Sequence, residues 1–182
     1  MSNKGKSKIS KSDFKQMILD DYRLVSEVRE SGAQGRRDVL SGKGTFGIFG
    51  DGKEIAQIAL AKVFRHGDFR AGYYRDQALM SALGQYSPKH MFSALYGDPD
   101  LSREPSSGSR QMMNHFGTRF LNDDGSWRNL MEQNNSTSDM ACLASQFPRL
   151  VGLAQASQVY RDNPELAKNK PGFTNGGNEI AF

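Results

Sequence analysis

The residues from Phe69 to Gly84 constrain the fold most, because they predict a strand that passes directly into a helix. The aromatic-rich run from Phe69 to Tyr74 fits the half-buried surface of a β-sheet. Good helix formers follow from Gln77 to Leu83, with apolar residues at helical spacing. The rest of the chain is organised around this predicted strand-to-helix segment.

Tyr74 and Arg75 lie where the predicted strand becomes the predicted helix. A helix start presents unpaired N–H groups and a partial positive charge, which attract an anion. The arginine fork and the tyrosine hydroxyl add donors that suit phosphate oxygens. The other interpretation is an ordinary surface dipeptide whose arginine meets a nearby carboxylate, and on this stretch alone that is the commoner outcome.

Composition and charge are those of a soluble intracellular protein. The 182 residues suffice for one domain, and the single cysteine, Cys142, excludes an internal disulfide. No apolar run reaches the length of a membrane span, so we expect a cytoplasmic protein without membrane contact. Much of the net charge of +4 comes from residues 1–11, which we expect to form a flexible basic tail. This tail lacks interleaved aromatic residues, so nucleic acid is not the expected partner.

The other periodic segments predict helices separated by polar or glycine-rich loops. Apolar residues at three- and four-residue steps indicate a helix from Ser12 to about Ser31. Gly32–Gly44 then predicts a loop, and Lys53–Phe64 predicts a second helix. Pro88–Tyr96 predicts another, with proline in its first turn. The segment from Gly97 to His115 has few apolar anchors, and we expect it to be mobile until a ligand orders it.

Gly42 to Gly52, GKGTFGIFGDG, imitates nucleotide-binding motifs without their context. Its glycine spacing matches the glycine-rich loop of protein kinases, yet the chain has neither the H-R-D nor the D-F-G motif that a kinase needs. A dinucleotide-binding fold would need a hydrophobic strand before Gly42, and none precedes it. Both kinds of nucleotide site are therefore excluded.

One of the three histidines, His115, is a candidate for proton transfer, since histidine titrates near neutral pH. His115, in SRQMMNHFG, is the one that a ligand-ordered loop would bring to a site, although a lone loop histidine is more often a structural hydrogen-bonding group. His66 and His90 have no supporting cluster, and we expect both at the surface.

The segment from Met140 to Tyr160 combines a small-residue loop with a helix opened by Pro148. The small residues at Ala141–Ser145 would let backbone groups approach a ligand closely. An ordinary buried helix with a tight entry is the alternative. The final residues, NEIAF, predict a strand with nothing after it to pair, and we expect the sequence to be the front part of something longer.

Two stretches in this order resemble the alpha subunit of thiamine diphosphate-dependent 2-oxoacid dehydrogenases, most closely the branched-chain type. The first is YYRDQALMSALG, followed by a loop and RQMMNHFG, and the second is LASQFPRLVGLAQA. The resemblance covers most of residues 13–182. It implies an α/β fold in which residues 12–182 are the amino-terminal portion of a thiamine diphosphate-binding, transketolase-like domain. A parallel sheet flanked by helices is expected, in an incomplete fragment.

The resemblance also implies cofactor contacts. In that family a Tyr-Arg pair holds the cofactor diphosphate, which implies this role for Tyr74 and Arg75. The loop before the proline-started helix packs under the thiamine rings, and one apolar side chain there bends the cofactor. That loop corresponds to Ala141, Cys142 and Leu143, with Leu143 as the wedge. His115 is the catalytic candidate.

Metal ligands are implied in two places. Branched-chain relatives bind potassium around a Ser/Thr-Gln step, here Ser145 and Gln146, although Cys142 stands where those relatives have proline. The family binds magnesium through a G-D-G or G-E-G motif with an Asn-Asn pair some residues later. Gly50–Gly52 has the right letters, but Asn134–Asn135 follows it much too late. We expect the magnesium ligands beyond Phe182.

In that family the reaction is oxidative decarboxylation of a 2-oxoacid, with acyl transfer to a lipoyl group on a partner acyltransferase. The cofactor carries the difficult chemistry, while the protein binds and orients. The implied partners are a beta-like subunit or a fused beta-like half, in an α2β2-type oligomer. The alternative is a non-catalytic α/β interaction module that docks through its basic tail.

Overall fold

The computed structural model describes residues 9–170 and 172–182. Its first element, α1, spans Lys11–Leu40, and the hydroxyl of Ser10 caps it by accepting a hydrogen bond from the Asp13 N–H at 3.1 Å. The predicted tail at residues 1–8 lies outside the described residues, and Lys11 already belongs to α1. Among the helices of the described part, none is long and apolar enough to cross a membrane.

The helix α1 continues about nine residues beyond its predicted end, so the predicted loop at Gly32–Gly44 is wrong over most of its length. Gly32 and Gly35 are buried within α1 because the Phe49 ring packs against them. A Cβ placed on Gly35 would lie 2.5 Å from Cε1 of Phe49. Glycine is therefore present here for close packing rather than to end the helix.

The glycine-rich run after α1 also serves packing. A Cβ on Gly44 would lie 2.9 Å from Leu95, and one on Gly47 would lie 2.8 Å from Phe49. Gly44 therefore lets this connection pack closely against Leu95, and Gly47 leaves room for the Phe49 ring.

Three short helices follow, each within a residue or three of its predicted bounds. They are α2, Glu54–Ala61; α3, Gln77–Ala82; and α4, Pro88–Leu95, with Ser87 as its N-cap. They pack with α1 around an apolar core whose buried members are Met80, Tyr86, Met91, Leu95, Met113 and Phe116.

A small parallel sheet lies beside these helices. Strand β1, Phe69–Arg70, pairs in parallel with β2, Asn135–Ser136, and Phe69 also forms a parallel bridge with Ala181. The predicted strand from Phe69 to Tyr74 is thus too long, because the chain turns after Ala71. The predicted α/β class is confirmed in its coarse form, as helices with a small parallel sheet.

The last two helices are α5, Gln146–Asp162, and α6, Pro164–Lys168. Only Ser157 of α5 is buried, and its apolar side chains at Phe147, Val151 and Val159 are exposed. The alternative of an ordinary buried helix at this position is therefore wrong for the chain as described.

Candidate functional site

A buried arginine organises the residues around β1. Arg70 is 1 % exposed, and its guanidinium donates to Asp76 at 2.7 Å and to Asp139 at 3.0 Å. It also donates to the Ser136 hydroxyl at 2.6 Å and to the Tyr73 carbonyl at 3.0 Å. We call Arg70, Asp76, Ser136 and Asp139 the Arg70 cluster. It joins β1 to β2, to the turn before α3 and to the segment that leads into α5.

Asp139 is the most enclosed carboxylate of this cluster. Its side chain is fully buried, and its Oδ2 accepts the Phe116 N–H at 3.2 Å as well as the Arg70 guanidinium. Burial raises the pKa of Asp139, and the charge and hydrogen bonds of Arg70 oppose that rise only in part. The carboxylate thereby holds the backbone next to His115 against the turn that carries Tyr74.

Tyr73, Tyr74 and Arg75 form one stacked unit. The two tyrosine ring centroids lie 3.8 Å apart, and their hydroxyls are hydrogen-bonded to each other, which raises the pKa of Tyr73. The guanidinium carbon of Arg75 lies 5.6 Å from the Tyr74 ring and 6.0 Å from the Tyr73 ring. Cation–π contacts of this kind orient an arginine while leaving its N–H groups free to donate.

Arg75 forms no salt bridge with any residue that the structure describes, although its side chain is only partly exposed. The surface-dipeptide interpretation, in which Arg75 pairs with a nearby carboxylate, therefore does not describe this geometry. An oriented guanidinium without an internal acid can accept an anion from outside the chain.

The start of α3 is not available to that anion, which corrects one step of the sequence argument. The side-chain Oε1 of Gln57 accepts hydrogen bonds from the backbone N–H groups of Ala78 and Leu79 at 3.1 and 3.2 Å. The Gln57 amide also donates to the Arg75 carbonyl at 2.9 Å. A glutamine from α2 thus satisfies the helix start, and any anion site here consists of side chains.

His115 lies against the same unit. It is 8 % exposed, and its ring is stacked on that of Tyr74 with centroids 5.6 Å apart. The His115 Nδ1 lies 3.1 Å from the Met112 carbonyl oxygen. Because a carbonyl can only accept, Nδ1 is the donor, and Nε2 of the neutral ring keeps the lone pair. The Nε2 atom of His115 is therefore a hydrogen-bond acceptor in this tautomer.

A buried polar residue, Glu104, helps to anchor the loop before His115, together with Met113 of the apolar core. Glu104 is 4 % exposed and accepts backbone N–H groups from Ser106, Ser107 and Ser109 at 2.8–3.1 Å. Burial raises the pKa of Glu104, but these N–H donors outweigh it and leave the pKa lowered. Apolar anchors are therefore few in this segment, as predicted, but Met113 is one of them, and the ionised Glu104 adds a polar anchor.

The small-residue loop contributes an exposed surface. Ala141, Cys142 and Leu143 are exposed, with Leu143 at 78 %, and Ala144 has a positive φ of 67°. A non-glycine residue in this conformation is strained, which is a common property of ligand-binding loops. No hydrogen bond joins residues 141–146 to Tyr74, Arg75 or His115 in the part of the chain that the structure describes.

Ser145 and Gln146 lie where this loop enters α5. The Ser145 hydroxyl donates to the backbone carbonyl of Cys142 at 2.6 Å. The side-chain Oε1 of Gln146 is buried without a hydrogen-bond partner among the described residues. Such an orphaned oxygen suits a cation. No group of three His, Cys, Asp or Glu residues that could hold a metal occurs within residues 9–170 and 172–182. Asp51 of the Gly50–Gly52 motif is instead paired with Arg36.

The structure thus brings Tyr74, Arg75 and His115 together, while no hydrogen bond among the described residues links them to the loop at 141–146. Sequence reasoning missed Arg70 and Asp139, which hold the parts of this site in place. The only sequence signal for Arg70 is a charged residue inside a short aromatic strand.

Comparison with known proteins confirms the resemblance found in the sequence. The chain is 29 % identical over 174 residues to the 2-oxoisovalerate dehydrogenase subunit alpha of Bacillus subtilis (strain 168). The similarity covers 91 % of this chain and 48 % of that relative, so the chain spans about half the length of the curated relative that it matches. No family model matches the chain.

Proposed function

We propose that this chain is part of the decarboxylating component of a thiamine diphosphate-dependent 2-oxoacid dehydrogenase. The Arg75 guanidinium, oriented by two tyrosine rings and unpaired among the described residues, carries the proposal. The similarity to a 2-oxoisovalerate dehydrogenase alpha subunit supports it, because it spans nearly the whole chain. In the proposed reaction a 2-oxoacid is oxidatively decarboxylated and its acyl group passes to a lipoyl partner.

The residues present fit a diphosphate. Arg75 offers paired N–H donors, and the neighbouring Tyr74 hydroxyl can turn from Tyr73 to a phosphate oxygen. Thiamine diphosphate, when bound, supplies the carbanion-stabilising chemistry that decarboxylation needs. The chain's part is to hold the diphosphate at Tyr74 and Arg75 and to move a proton at Nε2 of His115.

In the proposed site, the loop at residues 141–146 would contact the rings of thiamine diphosphate. Backbone groups of Ala141 and Cys142 would contact the aminopyrimidine, with the exposed Leu143 as the apolar wedge. Ser145 and Gln146 would bind potassium, and the orphaned Gln146 oxygen supports this role. The magnesium ligands would come from outside these 182 residues.

The proposed partners are a beta-like subunit or fused half and a lipoyl-bearing acyltransferase, in an α2β2-type assembly in the cytoplasm. The exposed apolar side chains of α5 support a partner at that helix, because a monomer gains nothing by presenting Phe147 and Val151 to water. The non-catalytic interaction module remains the second candidate. The exposed apolar side chains of α5 would serve the docking of such a module as well.

Carbon dioxide release from 2-oxoisovalerate separates the two candidates. The complete protein, assayed with a beta-type partner, magnesium and thiamine diphosphate, should turn over, while the 182-residue chain alone should not. His115→Ala should lower turnover between pH 6 and 8, whereas the exposed His66→Ala should not change it. Complete protein that releases no carbon dioxide from any 2-oxoacid would favour the interaction module.

A further inference from the structure

A tight turn of four residues, Met112 to His115, presents His115 to the candidate site. The His115 backbone N–H donates to the Met112 carbonyl at 3.1 Å, and the ring Nδ1 donates to the same carbonyl at 3.1 Å. Asn114, the third residue of the turn, has a positive φ of 66°. Type II turns need a positive φ at this position, where glycine or asparagine usually stands. The position of the His115 ring therefore depends on the backbone conformation at Asn114.

The Asn114 side chain is buried and is anchored at both of its amide atoms. It is 3 % exposed, its Oδ1 accepts a hydrogen bond from the Tyr86 hydroxyl, and its Nδ2 donates to the Ile48 carbonyl at 2.8 Å. Burial raises the pKa of Tyr86 well above its ordinary value, so this hydroxyl stays protonated and donates at neutral pH. These two contacts fix the turn to α4's side of the core and to the glycine-rich run.

The Ile48 carbonyl is also bound from the other half of the site. The Gln77 amide nitrogen donates to this carbonyl at 3.0 Å and to the Tyr74 carbonyl at 3.2 Å, and Gln77 is 4 % exposed. One backbone oxygen thus accepts two buried amides. The amide of Asn114 lies next to His115 in the chain, and the amide of Gln77 holds the backbone of Tyr74.

Glycine in the run that imitates nucleotide-binding motifs permits this arrangement. A Cβ placed on Gly50 would lie 2.5 Å from the Arg75 carbonyl oxygen. A larger residue would push the run away from the site, and the Ile48 carbonyl would move with it. The run thereby supports both halves of the site through its backbone.

We propose that Asn114 is a positioning residue for His115. It keeps the turn in the conformation that places the His115 Nδ1–H on the Met112 carbonyl. Its contact with the Ile48 carbonyl holds the His115 ring against that of Tyr74, at a centroid distance of 5.6 Å. The catalytic consequence rests on the proton-transfer role proposed above for His115, whereas the positioning itself does not.

NMR of the histidine side chains in the 182-residue chain tests the positioning. The chain has three histidines, of which His66 is exposed and His90, predicted at the surface, is only partly exposed. Proton–nitrogen correlation across the imidazole rings distinguishes the two tautomers, and wild-type His115 should be the Nδ1–H form. Asn114→Val should give a mixture of both tautomers, because a β-branched residue disfavours a positive φ. Asn114→Gly, which permits the positive φ but lacks the anchors, should be intermediate.

Two further variants complete this experiment. Tyr86→Phe removes only the hydroxyl that binds Asn114, and it should shift the His115 tautomers in the same direction as Asn114→Val, but less. The matched control is Asn169→Val, at an exposed asparagine with a negative φ of −76°, which should leave the His115 signals as in the wild type. Circular dichroism shows whether each variant is folded.

Turnover of the complete protein with a beta-type partner tests the catalytic consequence. Asn114→Val should lower kcat by at most about 10²–10⁴-fold, the contribution of one general acid–base group. The affinity for thiamine diphosphate, which Tyr74 and Arg75 hold, should stay as in the wild type. Adding Asn114→Val to His115→Ala should lower kcat no further, because Asn114 acts only through His115.

Wild-type tautomer content in folded Asn114→Val and Tyr86→Phe would overturn the inference, whatever the turnover. A further loss of kcat when Asn114→Val is added to His115→Ala would also overturn it, because Asn114 would then act by another route. If the tautomers shift as expected while His115→Ala leaves turnover unchanged, the positioning role stands and the proton-transfer role in the proposed function is wrong.

Discussion

Replacing Arg70 by methionine should destabilise the chain severely. The substitution keeps most of the side-chain volume but removes the only cation that contacts the Asp139 carboxylate among the described residues. Asp139 is fully buried, whereas the Asp76 side chain is 22 % exposed and can regain water. Removing one partner of a buried ion pair costs about 3–5 kcal/mol, and we expect most of this loss to arise from Asp139.

The free energy of unfolding from urea titration measures this effect. Arg70→Lys should lower the free energy of unfolding less than Arg70→Met does, because lysine keeps the positive charge although it lacks the paired guanidinium donors. The control Arg37→Met, on the exposed face of α1, should change stability by less than about 0.5 kcal/mol. The loss in Arg70→Met should shrink toward about pH 4, where an unpaired Asp139 becomes protonated. A loss below about 1 kcal/mol at pH 7 would show that the Arg70 cluster does not hold the site together.

Three further substitutions test individual contacts. Because burial raises the pKa of Asp139, the contribution of this group to stability should fall as pH rises from about 3.9 through the folded pKa. In urea titrations the wild type should therefore lose stability relative to Asp139→Asn over this pH range, and a wild type that gains on the variant would contradict the assigned direction. Because backbone N–H donors lower the pKa of Glu104, its contribution should be present above about pH 4.3 and lost as pH falls through the folded pKa. Glu104→Gln should cost about 1–3 kcal/mol and speed hydrogen exchange at Ser106–Ser109, unlike the exposed Glu165→Gln, and unchanged exchange would refute the anchoring role. Gly35→Ala should destabilise the chain by about 1–3 kcal/mol in thermal unfolding, because the added Cβ overpacks against Phe49. Gly152→Ala in α5 has nothing within 4 Å of the added Cβ and should stabilise the chain by up to about 1 kcal/mol. Equal effects of the two substitutions would show that Phe49 can move away.

Local patterns predicted most of the helices. The apolar spacing that starts at Gln77 predicted α3, which begins at that residue. Pro88 predicted the start of α4 in the same local way. The predicted end of α1 was wrong because glycines such as Gly32 and Gly35 often end a helix. Their place inside α1 is explained by the ring of Phe49, which is distant in the sequence and packs against them.

The sequence predicted the part of the candidate site that consists of neighbouring residues in the chain. Tyr74 and Arg75 stand next to each other, so their joint role was accessible from the sequence. Arg70 and Asp139 are 69 positions apart, and their contact depends on how β1 and β2 pair. The helix-start argument failed for the same reason, since nothing near Ala78 in the sequence indicates that Gln57 caps it.

The affinity of the complete protein for thiamine diphosphate, with magnesium present, tests the central claim most directly. Titration calorimetry should give about ten- to a hundredfold weaker binding for Arg75→Ala, the loss expected for one charge-assisted contact to a diphosphate. The exposed Arg65→Ala, in the turn before β1, should bind like the wild type. If Arg75→Ala binds the cofactor as tightly as the wild type does, the stacked arginine does not hold the diphosphate and the proposed site is wrong.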